Sequence, residues 1–127
     1  MLDLDGKVFA VMARDEAART FTVFLVNRTQ RTYSDVTIRT GGWVSSDDDM
    51  IQTSESVRSC GPLPPGATLQ IDQSDLDELD FVIWYRLILK DEDGSETSAG
   101  FGIPRHGCAS QQYVEEIGAT TGVMELR

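Results

Sequence analysis

Apolar and polar residues alternate with a period of two along most of this chain, which is the spacing of a pleated strand with one face in a core. Arg19 to Asn27 (RTFTVFLVN) puts Phe21, Val23 and Leu25 on one face and Thr20, Thr22, Phe24 and Val26 on the other. Its aromatic and β-branched content suits a packed pleated surface. Lys7 to Ala13 sets Val8, Ala10 and Met12 against Phe9, Val11 and Ala13, and Tyr33 to Thr40 turns Val36 and Ile38 inward and Asp35, Thr37 and Arg39 outward. Gly41-Gly42 ends that third segment. Met50 to Arg58 is polar enough for an edge strand or a loop. Three prolines then make Cys60 to Gly66 extended and irregular.

Thr68 to Ile71 predicts a short strand carrying Leu69 and Ile71. In Ser74-Asp75-Leu76-Asp77-Glu78-Leu79 a serine precedes acids, which predicts one helical turn, because these side chains satisfy the free N–H groups of a first turn. Phe81 to Lys90 (FVIWYRLILK) is apolar on both faces. Phe81, Ile83, Tyr85, Leu87 and Leu89 line one face; Val82, Trp84 and Ile88 line the other, with Arg86 between them. Such a strand is expected to be central and covered on two sides. Asp91 to Ser95 is a hairpin turn with Gly94 at its positive-φ position, and Glu96 to Ile103 returns as the partner strand until Pro104 ends it.

Seven short strands separated by turn signals predict an all-β fold, an antiparallel sandwich of two sheets, with a small barrel as the rival. The run Phe-Thr-Val-Phe-Leu-Val-Asn-Arg-Thr, a polar turn, then Tyr-Ser-Asp-Val-Thr-Ile-Arg-Thr-Gly-Gly resembles the second and third strands of immunoglobulin-like sandwiches. Antibody-type domains carry a cysteine on each of two facing strands, and neither Arg19–Asn27 nor Phe81–Lys90 has one. The resemblance is therefore to an architecture. One domain is expected over 1–127, with the sandwich at 7–103 and a C-terminal extension at 104–127. In that extension Ser110 caps a short predicted helix, Tyr113, Val114 and Ile117 share its face, and Gly118 ends it. Something must cover the outward Val82, Trp84 and Ile88, because exposed apolar patches invite association. The extension, a second copy of the chain or another partner are the three candidates.

Eleven basic residues against 21 acidic ones give a net charge of −10. The excess lies after Val44, where sixteen acids face five bases. That field repels phosphate backbones, so neither direct nucleic-acid binding nor an anionic membrane surface is expected. No apolar run reaches the ~18 residues of a transmembrane helix. Met1 to Asp5 lacks the basic-then-apolar pattern of a secretory signal, so a cytoplasmic location with reduced Cys60 and Cys108 is expected. Asn27-Arg28-Thr29 fits the glycosylation pattern but is more simply a turn.

Candidate chemistry is thin. The single histidine, His106, lies two residues from Cys108, and a small hydrolase or thiol enzyme is the alternative this pair keeps open. Three ligands (His106, Cys108 and Cys60) fall short of a structural zinc site. Acidic clusters at Asp47-Asp48-Asp49, Asp72 to Asp80 and Asp91 to Glu96 offer oxygens to calcium, with Asp91, Asp93 and Glu96 the weak candidate ligands. The same acids allow a mimic of a nucleic-acid backbone that occupies a basic groove. No cofactor is expected. The favoured reading is a non-enzymatic interaction or structural module with an unidentified protein partner or a homodimer. Its expected binding residues are Trp43, Asp47, Asp48 and Asp49 on one loop, with Val82, Trp84 and Ile88 as a second, apolar contact.

Overall fold

Val8–Asp15 (β1) and Thr20–Asn27 (β2) form an antiparallel hairpin whose register sets Phe9 opposite Val26 and Val11 opposite Phe24. The computed structural model describes the backbone of residues 2–46, 49–80, 82–105 and 110–127, and the side chains of these outside 40–56. Tyr33–Ser46 (β3) and Asp49–Leu63 (β4) pair in a second sheet, and Thr68–Asp75 (β5) returns to the first beside β2. A 3-10 turn, Leu76–Asp80, leads back to Val82–Asp91 (β6) and Glu96–Ile103 (β7), and Ser110–Val114 (β8) and Ala119–Glu125 (β9) close the chain. The sheets run β5-β2-β1-β9-β8 and β4-β3-β6-β7. This is a two-sheet antiparallel β-sandwich.

The alternation places the core as expected. Ala10, Met12, Phe21, Val23 and Leu25 of the first sheet meet Val36, Ile38, Ile83, Tyr85, Leu87, Leu89 and Phe101 of the second. Tyr85 and Phe101 stack at 4.8 Å between ring centroids, held face to face by their cross-strand register. Asn27 is fully buried. Its amide nitrogen donates to the carbonyls of Arg31 (2.8 Å) and Leu63 (3.0 Å), and its oxygen accepts the Thr29 N–H and hydroxyl. A buried amide with these bonds pins the β2–β3 turn, which agrees with its reading as a turn residue.

Three expectations need correction. The predicted C-terminal helix is absent: Ser110 to Gly118 is strand β8 and a tight turn. The turn does carry one helix-like bond, Gly118 N–H to Val114 C=O at 2.8 Å, before Gly118 reverses the chain at φ 80°. Threonines and valine at 120–123 favour a strand, and the free edge of β1 supplies its hydrogen bonds, so β9 and then β8 extend the first sheet, giving nine strands among the described residues. The described residues of the extension consequently do not cover Val82, Trp84 and Ile88, which belong to the other sheet. Third, two strands outrun their expected ends: β3 continues through Gly41-Gly42 to Ser46, paired with β4 and β6, and β4 runs on through Pro62 to Leu63, where as an edge strand it tolerates a residue without an N–H.

Each lateral opening of the sandwich has its own closure. On one side Arg127 exchanges both backbone hydrogen bonds with Gly100 of β7, at 2.8 and 3.0 Å. On the other, Arg58 of β4 reaches the Ile71 carbonyl and the Asp72 carboxylate of β5. A bulge in the β2–β5 register leaves Ile71 unpaired, which frees that carbonyl.

Candidate functional site

Strand β6 sits second from the edge of its sheet, between β3 and β7, and its side chains alternate buried and exposed from Ile83 to Lys90. The inward set fills the core. Val82, Trp84 and Ile88 share the opposite face, as the sequence predicts, and there Trp84 remains 48% exposed and Ile88 40%. No segment of the chain covers this face among the described residues. Trp84 is held in place from beneath. It stands opposite Gly102 of β7, and a Cβ on Gly102 would lie 2.9 Å from the indole, so the ring rests directly on the glycine backbone. The large aromatic is therefore both seated and accessible, an arrangement that lowers the cost of ordering it on binding.

The rows across this face follow from the register. Glu55, Gly41, Trp84 and Gly102 make one; Val57, Arg39, Arg86 and Gly100 make the next; Ser59, Thr37, Ile88 and Ser98 make the third. Val57 is 58% exposed on β4. Arg39 and Arg86 are both exposed. Sequence reasoning placed Arg39 and Arg86 outward but missed them as candidates. The signal was present, because two outward positions on strands that pair must stand side by side. It became usable only once β3 was known to neighbour β6.

Trp43 stands in register with Val82, so the backbone brings it to the same end of the sheet, and Asp49 opens β4. The side chains of Trp43 and Asp49, and Asp47 and Asp48 entirely, lie outside the described residues, as do Phe81, His106 and Cys108. No family model matches the chain, and no curated protein matches it.

Two polar clusters lie away from this face. In the β6–β7 hairpin, Asp93 accepts the Ser95 N–H at 2.9 Å, and the Ser95 hydroxyl holds its carboxyl below the usual range. Asp91 lies 3.4 Å from Arg31. Among the described residues no three His, Cys, Asp or Glu side chains gather as a metal site, so Asp91, Asp93 and Glu96 do not converge. At the β4–β5 opening, Tyr85 donates to Asp72 at 2.8 Å and Arg58 donates to the other Asp72 oxygen at 3.0 Å, beside a groove of about 330 Å³ that Cys60 also lines. Burial pushes the Cys60 thiol up and, with the Asp72 charge, pushes the Tyr85 phenol up further. Both groups hold their protons at neutral pH, and the ionic contacts are satisfied within the cluster. It is a clasp between the sheets.

Proposed function

We propose that this chain is a non-enzymatic interaction module built on an immunoglobulin-like sandwich, and that the outer face of β6 is its docking surface. The single observation that carries the reading is the half-exposed indole of Trp84, seated on Gly102, with exposed Ile88 four residues further along the same face, on an interior strand of a four-stranded sheet. Apolar area of this kind on a sheet face marks a surface that meets another molecule. The strand path supports the immunoglobulin-like architecture: β1-β2-β5 face β4-β3-β6-β7, with the chain crossing between sheets after β2, β4 and β5. A cytoplasmic setting fits the free, half-buried Cys60 thiol. No helix among the described residues is long and apolar enough to cross a membrane.

In-cell photo-crosslinking tests the reading. A benzophenone side chain replacing Trp84 is expected to capture a discrete partner in cells that naturally make the chain. The same group replacing Tyr113, which is 59% exposed on β8 of the other sheet, serves as the control and is expected to capture none. Equal adducts at both positions, or none at either, would overturn the assignment of the face.

A further inference from the structure

We propose that one end of the sandwich holds a binding site for a small zwitterion with an apolar body, the chemistry of a free α-amino acid with an apolar side chain. The proposal is independent of the outer face of β6. It rests on a cavity of about 340 Å³ that opens where β1 and β3 begin and β6 and β9 end. That volume falls at the lower end of the range for small-ligand sites. Its apolar wall comprises Val8, Leu89 and Leu126, at the margin of the main core. Tyr33 also lines it. This side chain is only 8% exposed, and its hydroxyl bonds to no described group. The hydroxyl is not sealed off, as that of Thr121 is, so it meets the opening. A buried phenol is ordinarily bonded within the protein. Here the donor is left for a molecule in the cavity.

The rim supplies the charges. Lys7 and Glu125 both line the cavity and both are exposed. Neither has an ion-pair partner among the described residues, and they do not pair with each other. One free ammonium and one free carboxylate therefore stand at the mouth of an apolar cavity. Thr29, which also lines it, offers nothing further: its hydroxyl donates to Asn27 and accepts the Arg31 N–H within the turn. The charges decide the ligand class. A simple carboxylate would gain Lys7 but face Glu125 and the field of a chain with a net charge of −10; a simple amine would gain Glu125 but face Lys7. A zwitterion meets both rim charges and carries no net charge for the field to repel. Its carboxylate goes to Lys7, its ammonium to Glu125 and its side chain to the apolar wall, while the Tyr33 hydroxyl bonds the polar head.

The test is titration of the full chain with L-phenylalanine and L-leucine, followed through the methyl resonances of Val8, Leu89 and Leu126. Phenethylamine, which lacks the carboxylate, and hydrocinnamate, which lacks the ammonium, are titrated beside them. At least one of the two amino acids is expected to give saturable shifts, and each phenylalanine analogue to bind at least about tenfold more weakly than phenylalanine, the scale of one lost charge-assisted hydrogen bond. Lys7→Gln should weaken the amino acid by a similar factor and leave the amine unaffected. Glu125→Gln should weaken the amino acid and leave hydrocinnamate unaffected or tighter. Tyr33→Phe should weaken all of them that bind. Lys7 and Glu125 are exposed, so their variants are expected to melt as the parent does and keep the test readable if Tyr33→Phe lowers stability. No saturable shift from either amino acid at millimolar concentrations would overturn the site. Hydrocinnamate binding as tightly as phenylalanine would make the ligand a plain carboxylate, and shifts indifferent to both rim substitutions would mean apolar contact alone. Either result ends the proposal. None of these residues belongs to the outer face of β6, so its failure leaves the docking reading standing.

Discussion

On the outer face of the five-stranded sheet, Phe9 and Val11 are completely buried and Val123 is 2% exposed; on the outer face of the four-stranded sheet, Trp84 is 48% exposed. The sequence is apolar at both places. What differs is the cover. Over the first sheet, the N-terminal segment brings Leu2 and Leu4 onto Phe9, Val11, Val26 and Val123, and the β8–β9 hairpin adds Val114 and Ile117. Leu2 and Gln112 exchange hydrogen bonds of 3.1 and 3.2 Å that tie this segment to β8. Arg28 closes the edge, its guanidinium 4.9 Å above the Phe9 ring and paired with Glu116 at 2.7 and 2.8 Å. The N-terminal segment and the β8–β9 hairpin cover the five-stranded sheet, and no described segment does the same for the outer face of β6.

The largest effect should come from removing that cover's anchor. Phe9→Ala is expected to cost about 3–5 kcal/mol in urea denaturation, the usual range for truncating a buried aromatic. Trp84→Ala, which loses only about half a side chain's buried area, should cost about 1–2 kcal/mol. Equal losses would erase the distinction between the faces. Next comes the clasp at the edge of the covered face. Arg28→Ala should cost about 1–2 kcal/mol, since charge-assisted bonds with limited exposure exceed those on an open surface. The partner supplies a pH signature. Hydrogen bonding to Arg28 holds the Glu116 carboxyl below its ordinary value of 4.5. A depressed folded-state value means that the stabilisation is full above about 4.5 and fades as the pH falls through the folded-state value. The stability gap between the parent and Glu116→Gln should therefore be widest near neutrality and close in acid.

One position along β6 from Trp84, the inside of the sandwich answers differently. Tyr85→Phe keeps the ring stacked on Phe101 and removes only the hydroxyl bonded to Asp72, so a loss of about 1 kcal/mol is expected. Partner capture through the outer face should be unchanged. A variant that alters binding would couple the two faces of one strand and blur the contrast between them.

Much of this architecture was legible because a single physical rule, period-two burial, governs most of the chain. Phe21, Val23 and Leu25 point inward, as do Val36 and Ile38, where the alternation put them. The tail escaped for a physical reason. Tyr113, Val114 and Ile117 share a face at helical spacing, and only the Thr120–Val123 run and the unpaired edge of β1 reveal a hairpin. An open edge is a property of the assembled sheet, visible in no local segment. The same limit applies to the outer face of β6. Trp84 and Ile88 were identifiable from their own strand, but the Arg39–Arg86 row needed the pairing of two segments almost fifty residues apart. Gly102 offered only its small size as a hint, and its role beneath an indole required the register of β6 against β7.

The finest discrimination comes from Gly102→Ala, for which the stability change should be smallest. The strand has no need of glycine's conformational freedom there, and alanine removes some of the entropy lost on folding. Against this, the new methyl would meet the Trp84 ring at 2.9 Å, and the ring, being half exposed, has room to lift away. The two effects oppose each other, and the net change in stability should stay within about 1 kcal/mol. The position of the indole should nevertheless change, read as altered chemical shifts of its ring protons and lost contacts to residue 102. If Trp84 acts as a preorganised anchor, binding to the face must weaken although the fold is intact, because the ring now has to be pressed back over a methyl group. Should binding survive with the ring displaced, the indole contributes area without orientation, and the seat on β7 has no part in recognition.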